Sequence, residues 1–287
     1  MSKTLKLGKR KMALRTDILI GDSRKVLDKF EDQTFQMCVT SPPYWGLRNY
    51  GIDGQIGAEM VVDDYFADLV AIFRNIRRVL KDDGTLWLNI GDSYTSGGRT
   101  WRDTDEKNVA RGMDYRAPTP DGLKPKDLIG VPWKLAFALQ ADGWYLRTDI
   151  IWNKPNCQPE SVKDRPTRSH EYVFLLSKNE RYFYDWEAMI EATKDGNGGK
   201  NRRTVWNINT EPYKGAHFAV FPPELVRLCV LGGSQRGTTV LDPFFGSGTT
   251  GMVCVQEGRG FVGIELKEEY ADLARQRISN INLKMAL

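Results

Sequence analysis

A four-residue stretch, Ser41-Pro42-Pro43-Tyr44, combines residue types that suit recognition of an amino group on a flat ring. Each proline fixes its own φ and lacks an N–H, so the stretch is stiff and its carbonyls are free to accept hydrogen bonds. The Ser41 hydroxyl adds a second acceptor, and Tyr44 offers an aromatic face for stacking. We therefore predict catalytic roles for Ser41, Pro42 and Tyr44. The alternative is a strand that ends in prolines and carries an aromatic ring for packing.

A glycine-rich segment lies far downstream, where Gly246, Gly248 and Gly251 satisfy the pattern G-x-G-x-x-G. Glycines at this spacing between a strand and a helix let a cofactor approach the backbone. An acid at the tip of the next strand accepts hydrogen bonds from ribose hydroxyls. Glu265 stands at that position. The context predicts a site for an adenosine-containing cofactor, whereas the alternative is a purely structural turn.

Short apolar runs that end in turn-forming residues predict the strands that would carry these motifs. They cover residues 16–21, 35–40, 85–90, 145–152, 171–177, 238–241 and 260–265. Apolar residues at three-to-four spacing predict a helix over 61–80, and 223–231 and 267–281 have helical patterns as well. Residues 82–84 predict a turn. The alternation predicts an α/β fold with a mostly parallel twisted sheet and helices on both faces.

The order of the two motifs along the chain predicts the order in which the strands of the sheet follow one another. After Gly251 the sequence has room for one helix, one strand and one more helix, whereas a dinucleotide-binding fold needs several strands after its glycine loop. The missing strands can come only from upstream sequence, so the usual order of the fold is rotated. This order argues against a standard NAD-dependent dehydrogenase.

Length and composition restrict the class of protein. The 287 residues suit one large α/β domain with insertions or two average domains. Four cysteines without a C-x-x-C pair and only two histidines argue against a disulfide framework and against a metal site. The sequence has no apolar run that could span a bilayer and no secretory signal, which predicts a cytoplasmic protein without a membrane partner. The net charge of +4 permits an anionic partner without requiring one.

Two polar stretches, residues 93–130 and 192–216, interrupt the alternation of strands and helices. The first contains charges of both signs, and the second has an excess of basic residues that includes Lys200, Arg202 and Arg203. Neither has an obvious hydrophobic core. Both are therefore predicted to be long functional loops.

Together, the two motifs resemble those of a known family, the amino-methyltransferases of DNA that use S-adenosyl-L-methionine. Residues 41–44 are similar to the family's catalytic motif, in which Asp, Asn or Ser precedes Pro-Pro-Tyr or Pro-Pro-Phe, and residues 242–249 are similar to its cofactor loop. The catalytic motif comes first, which is the permuted order of the family's beta group. The resemblance covers nearly the whole chain. It implies one methyltransferase domain over residues 1–287 with a circularly permuted Rossmann-like fold.

The resemblance also implies roles for single residues. Those implied to bind the cofactor, S-adenosyl-L-methionine, are Asp22, His217, Phe221, Asp242, Phe244, Gly246, Gly248, Thr249 and Glu265. Those expected to contact DNA are Trp45, Lys154, Lys200, Arg202 and Arg203. Residues 152–154 and 170–172 resemble later motifs that line the base pocket, although a capping or packed role suits His170 equally well.

The activity implied by the resemblance is methyl transfer to the exocyclic amine of a base that is flipped out of double-stranded DNA. In this family Ser at the first motif position is commonest in N4-cytosine enzymes and Asp is typical of N6-adenine enzymes. Ser41 therefore favours cytosine, with adenine as the alternative. An RNA or small-molecule methyltransferase and an inactive DNA-binding protein are rivals from other classes.

The resemblance leaves the partners and the recognition sequence more open. Residues 192–216 occupy the position of the beta group's target-recognition segment, and residues 93–130 are a second candidate for that task. Double-stranded DNA is the expected partner of a bacterial or phage-encoded enzyme of this kind. A homodimer and a cognate restriction endonuclease are further partners that the resemblance permits.

Overall fold

The computed structural model describes residues 14–47, 51–52, 54–95, 117–193, 198–211 and 221–286, with side chains to residue 281. Its strands are β1 Thr16–Ile20, β2 Phe35–Thr40, β3 Leu80–Ile90, β4 Tyr145–Asn153, β5 His170–Ser177, β6 Ile190–Ala192, β7 Gly199–Asn201, β8 Val205–Asn207, β9 Thr239–Asp242 and β10 Gly260–Glu265. Eight of them form one sheet in the order β1-β10-β9-β2-β3-β5-β4-β8, and β6 and β7 form a separate hairpin. Within the large sheet only β5 runs antiparallel to its neighbours.

The helices cover both faces of this sheet. They are α1 Ser23–Val26, α2 Val62–Val79, α3 Val131–Ala141, α4 Pro223–Gly233, α5 Thr249–Gln256 and α6 Glu268–Ala286. One buried cluster packs α2 and α3 against the sheet and includes Cys38 of β2. The other packs α4, α5 and α6 against the sheet and includes Met37 and Val39, the residues on either side of Cys38. Alternate residues of a strand point to opposite faces, so both faces of β2 are buried. The predicted α/β architecture is confirmed.

The permuted order is visible in the strand pairing. β1 precedes the catalytic motif in sequence and pairs with β10, which follows the glycine loop, so that Ile20 lies opposite Glu265. β2 pairs with β9, where Cys38 lies opposite Leu241. Strands from upstream sequence therefore complete the sheet around the glycine loop, as the motif order predicts.

Three local features differ from the predictions. Residues 82–84 do not form the predicted turn between a helix and a strand. They form a bulge inside β3, because Phe35 pairs with Leu80 whereas Met37 pairs with Thr85. Helix α3 was not predicted. The segment 192–216 is not wholly a loop, because it contributes β7 to the hairpin and β8 to the edge of the large sheet.

The burial of one large aromatic side chain explains why β8 joins the edge of the large sheet. Its central residue, Trp206, is 4% exposed and stacks on Trp87 of β3 at 6.4 Å between ring centroids. A large aromatic side chain gains several kcal/mol from such burial, roughly 1.5–3 for a Phe-sized group, so it anchors an otherwise polar segment. Within the described residues, no helix is long and apolar enough to cross a membrane.

Candidate active site

The carboxyl ends of the parallel strands meet at one edge of the sheet, and both motifs lie there. β2 ends at Thr40 directly before Ser41, β9 ends at Asp242, and β10 ends at Glu265. β5 runs in the opposite direction, so its second residue, Glu171, reaches the same edge. In open α/β sheets this edge is where ligands bind.

The loop of residues 41–44, which is predicted to be catalytic, is held by side-chain and backbone hydrogen bonds. The Tyr44 phenol donates to Glu171 Oε2 at 2.8 Å. The Pro43 carbonyl accepts from the Tyr65 phenol at 2.9 Å. Burial and the adjacent Glu171 carboxylate raise the pKa of Tyr44 well above its usual value, so its phenol remains protonated.

Asp242 connects the glycine loop to the end of β2, the strand that leads into residues 41–44. Its Oδ1 accepts from the Thr40 hydroxyl at 2.6 Å and from the Phe244 amide at 3.1 Å, and its Oδ2 accepts from the Thr250 hydroxyl at 2.6 Å. Thr40 directly precedes Ser41, so one carboxylate joins both motifs across 202 positions of sequence. The side chain of Asp242 is 0% exposed. We infer that it supports the cofactor site by holding the loop and not by direct contact.

The burial of Asp242 predicts a pH-dependent stability. Burial raises its pKa from 3.8 to about 6, although its hydrogen bonds act in the opposite direction. A carboxyl group with a raised folded-state pKa stabilises the fold at low pH, and this contribution is lost as the pH rises through that pKa. Asp242→Asn keeps the side-chain shape and removes the titration. Between about pH 5 and about pH 7.5 we expect the wild-type chain to lose on the order of 1 kcal/mol of unfolding free energy relative to the variant.

Urea unfolding of both proteins at the two pH values measures this loss. The comparison between pH values cancels any constant effect of the amide on packing. A difference in unfolding free energy that stays the same at both pH values would contradict the inferred titration of Asp242.

Two glycines of the cofactor loop are required for different reasons. Gly248 has a φ of +79°, and a Cβ there would lie 2.6 Å from the Cβ of Ala274 in α6. At Gly251 a Cβ would lie 2.7 Å from Cζ of Phe245, so this glycine allows α5 to pack closely. Any side chain at these positions would displace the loop or the helix behind it.

Glu265 faces the backbone of the glycine loop. Its Oε2 accepts from the Gly246 amide at 2.7 Å, and its Oε1 accepts from the Lys267 amide at 2.9 Å. Burial raises the pKa of Glu265 above its usual value. A carboxylate offers about four lone-pair positions, so acceptor capacity remains for ribose hydroxyls. A carboxylate beside a loop of glycines, where no side chain blocks the approach to the backbone, fits the adenosine part of S-adenosyl-L-methionine.

Asp22 lies one strand away, at the end of β1. Its Oδ1 accepts from the Arg24 amide at 2.9 Å and so caps α1, and its carboxylate pairs with the Arg24 guanidinium at 2.8 Å. Burial opposes ionisation, but the hydrogen bonds and the charge of Arg24 outweigh it and lower the pKa of Asp22. Arg24 also pairs with Asp68 of α2 at 3.4 Å, which fixes this corner of the site.

The other residues implied to bind the cofactor lie around the same loop or outside the described residues. Phe244 is partly buried against the cluster under α2 and α3, and Phe221 is partly buried against the cluster under α4. Thr249 begins α5. His217 lies outside the described residues. Within the part of the chain that the structure describes, no three His, Cys, Asp or Glu side chains are grouped to hold a metal ion.

Two of the residues expected to contact DNA, Trp45 and Lys154, are largely buried and bound to other residues of the protein. Trp45 is 6% exposed and its indole N–H donates to the Glu59 carbonyl at 2.8 Å, so we leave it out of the proposed DNA contacts. Lys154 forms an ion pair with Glu171 and lies 4.4 Å from the centre of the Trp152 ring. Its charge is therefore directed at the residue that holds Tyr44.

The three basic residues of segment 192–216 have different surroundings. Arg203 is exposed and pairs with Glu191 at 3.0 Å, and Lys200 lies 3.8 Å from the same carboxylate. Arg202 is partly buried and lines a cavity of about 260 Å³ with Trp206 and other aromatic side chains. Arg203 is therefore the most accessible of the three to a phosphate group.

Several residues of the site were not predicted from the sequence. Thr40 and Thr250 donate to the Asp242 carboxylate, Glu171 accepts from the Tyr44 phenol, and Asn89 donates to Glu171. The resemblance of residues 170–172 to a pocket motif was a signal for Glu171. Nothing in the local sequence distinguishes Asn89, because its contact depends on the pairing of β3 with β5.

Comparisons with known proteins agree with this geometry. Residues 35–276 match the N6/N4 methyltransferase family, described as DNA methylase. The Type II methyltransferase M.SmaI of Serratia marcescens is 70% identical over 262 residues, which cover 91% of this chain and 90% of that protein.

Solved structures share the fold. A putative DNA modification methylase from Thermus thermophilus, in complex with S-adenosyl-L-methionine, has a TM-score of 0.66 and 25% identity, and the match covers 93% of this chain and 94% of that one. The cytosine-N4-specific PvuII DNA methyltransferase has a TM-score of 0.67 and 20% identity over 94% of this chain and 93% of its own.

Proposed function

The chain belongs to the N6/N4 family of DNA methylases, and we propose that it transfers a methyl group to the N4 amine of cytosine in double-stranded DNA. One observation carries the proposal. A loop with two hydrogen-bond acceptors and an aromatic ring, residues 41–44, lies beside the glycine loop, and the 2.6 Å hydrogen bond between Thr40 and Asp242 joins the two.

The catalytic loop suits an amine that is a poor nucleophile. The lone pair of an exocyclic amine on a base is delocalised into the ring, so the nitrogen must be made more tetrahedral before it can attack. Hydrogen bonds accepted from its N–H₂ group by the Ser41 hydroxyl and the Pro42 carbonyl favour that geometry. The ring of Tyr44 provides a face on which the flipped base stacks and is aligned.

The cofactor is S-adenosyl-L-methionine, which supplies a methyl group already activated on a sulfonium. Glu265 and the backbone around Gly246 and Gly248 bind its adenosine part in this proposal, and Asp22 flanks the adenine. Asp242 keeps the glycine loop in register with Ser41. The protein's main contribution is therefore alignment, because alignment of reacting groups alone can lower a barrier by about 7–11 kcal/mol.

The choice of base rests on Ser41. Ser at this position of the family motif favours cytosine, whereas Asp is typical of adenine-specific members. Methylation-sensitive sequencing of DNA from cells that express the chain, compared with cells that lack it, identifies both the base and its sequence context. N4-methylcytosine at a defined site supports the proposal. N6-methyladenine at a defined site would show that the target base is adenine and not cytosine.

The similarity to a Type II methyltransferase suggests a cellular setting. We propose that this chain acts in the bacterial cytoplasm and protects DNA from a cognate restriction endonuclease that recognises the same sequence. The homodimer stays a prediction.

The proposed DNA contact of Arg203 predicts a change in the salt dependence of binding. Each phosphate that a protein neutralises contributes about −0.9 to the slope of log K against log salt for duplex DNA. Arg203→Gln should therefore reduce the magnitude of that slope by about 0.9. Fluorescence anisotropy with a labelled duplex at several salt concentrations measures it.

Arg74→Gln is the matched control. The Arg74 and Arg203 side chains are 67% and 69% exposed, and each forms an ion pair with an acid. Arg74 lies on α2 and pairs with Asp142, which follows α3. An unchanged slope in Arg203→Gln, or an equal reduction in both variants, would refute the contact.

A further inference from the structure

The ring of Tyr44, on which the flipped base stacks in the proposal above, is fixed at two points. Its phenol donates to Glu171 Oε2 at 2.8 Å. Its edge lies on the backbone at the end of β3, because a Cβ at Gly91 would lie 2.7 Å from Tyr44 Cε2. The ring is therefore tethered at its phenol and confined at its edge. A change of its side-chain torsions would break the hydrogen bond to Glu171.

Glu171, which accepts from the phenol, is itself held from two neighbouring strands. Asn89 of β3 donates through Nδ2 to Glu171 Oε2 at 3.3 Å and to the Tyr172 carbonyl at 3.1 Å. The Lys154 ammonium, directly after β4, pairs with the other carboxylate oxygen. The Lys154 and Glu171 side chains are each 17% exposed, so the ion pair is largely withdrawn from water. Charge-assisted hydrogen bonds are stronger in such surroundings than in water.

Lys154 is also held in place by its neighbours. Its amide donates to the Ser169 carbonyl at 2.7 Å, and its ammonium lies 4.4 Å from the centre of the Trp152 ring. The support behind the phenol therefore comes from β3, β4 and β5, which belong to the sheet, and not from the loop of residues 41–44 itself. Groups held by strands are positioned more precisely than groups held by loops.

We propose that Glu171 is a positioning residue that holds the ring of Tyr44 in the orientation needed for stacking of the flipped base. This inference rests on the stacking role proposed above for Tyr44. A ring that is already oriented does not have to lose side-chain freedom when the base arrives. Lys154 and Asn89 keep the carboxylate in place, and the hydrogen bond of the phenol transmits its position to the ring.

A double-mutant cycle with Tyr44→Phe and Glu171→Ala tests the inference. Tyr44→Phe keeps the stacking face and removes the donor, whereas Glu171→Ala removes the acceptor. Each single variant should lower the single-turnover rate of methyl transfer to unmethylated duplex DNA by about tenfold at saturating cofactor, because the ring is no longer tethered. The double variant should also be about tenfold slower and not about a hundredfold, because both changes break the same link.

Two further variants test the position of the ring in other ways. Gly91→Ala keeps every hydrogen-bonding side chain of the network but pushes the ring from its place, so it should slow methyl transfer as well. Glu171→Gln retains an oxygen that can accept from the phenol, so its rate should lie between those of the wild type and Glu171→Ala. Thermal unfolding identifies any variant that does not fold. If Glu171→Ala does not fold, Tyr44→Phe and Gly91→Ala, which leave the ion pair intact, decide the question.

Two readouts separate this role from a merely structural one. Affinities for S-adenosyl-L-methionine and for duplex DNA should change less than about twofold in the folded variants, because the Asp242 and Glu265 contacts are intact. The second readout is the emission of 2-aminopurine placed at the target position of the duplex, since stacking quenches its fluorescence. In the complex with Tyr44→Phe or Glu171→Ala the emission should be higher than in the wild-type complex.

Glu257→Ala is the matched control, since the Glu257 side chain is also 17% exposed and pairs with Arg227 at 2.8 Å at the far end of α5. It should transfer methyl groups at the wild-type rate. Additive losses in the double variant, or a wild-type rate in Tyr44→Phe or Gly91→Ala, would overturn the role of Glu171. The assay counts methyl groups on any base. Methylation of adenine would therefore overturn the proposed base while leaving the result of the cycle valid.

Discussion

Tyr44→Ala should lower the single-turnover rate of methyl transfer by about a hundredfold at saturating cofactor. Stacking of a base on an aromatic side chain is worth about 1–3 kcal/mol, and the flipped base loses this platform. The variant also breaks the hydrogen bond of the phenol to Glu171. Tyr44→Phe keeps the ring and should fall between the wild type and Tyr44→Ala. Quenched-flow transfer of a radiolabelled methyl group to duplex DNA measures all three rates.

Two controls make this prediction specific. Tyr145→Ala removes a 44% exposed ring at the start of β4, which is the opposite end of the sheet from the site, and should leave the rate unchanged. Cys157→Ser should also retain activity, because amine methylation needs no thiolate attack. A fully active Tyr44→Ala, or an inactive Cys157→Ser, would overturn the assignment of the catalytic loop.

The strands that position the site could be predicted because they are buried on both faces. All six residues of Phe35–Thr40 and all six of Gly260–Glu265 are buried, and both runs are mainly apolar, although Phe35–Thr40 includes the buried polar side chain of Gln36. Such runs are typical of parallel strands. Helix α2 was equally clear, since its buried residues recur every three or four positions and acidic and basic residues occupy its first and last turns.

The elements that were missed lack such a periodic signal. Helix α3 is apolar over much of its surface, with Val131, Leu135, Ala136 and Leu139 buried and Phe137 exposed, so no polar stripe distinguishes it from a buried strand. Strand β8 has only three residues and is defined by its pairing with the end of β4, where Trp206 lies opposite Trp152. Tertiary contacts, not local preference, decide both elements.

The site could be predicted as a set of motifs but not as a network. The sequence places an acid at the start of the glycine loop, where it looks like a cofactor ligand. The structure shows that Thr40 and Thr250 occupy the Asp242 carboxylate from two other elements. In the same way, the link from Tyr44 to Glu171 spans 127 positions and joins β5 to the loop after β2. Contacts of this kind depend on strand order, which a single sequence does not state.

Glu265→Ala should weaken the binding of S-adenosyl-L-methionine by about tenfold to more than a hundredfold. Hydrogen bonds to a charged group contribute about 1.5–3 kcal/mol, and the variant removes the carboxylate that faces the glycine loop. It also leaves the Gly246 amide without its 2.7 Å acceptor, which loosens the backbone of the cradle itself. Both effects act on the cofactor site and leave residues 41–44 intact. Isothermal titration calorimetry with the cofactor measures the loss of affinity.

The control for this prediction is Glu257→Ala, which removes a partly buried carboxylate, paired with Arg227 at 2.8 Å, from the far end of α5. It should bind the cofactor as the wild type does. Thermal unfolding of both variants shows whether the fold persists, since Glu265 is buried and its loss leaves two backbone amides without their acceptor. A folded Glu265→Ala that binds the cofactor with wild-type affinity would place the ribose elsewhere. In that case the acceptor capacity of Glu265 serves only the Gly246 and Lys267 amides, and its role is to shape the loop.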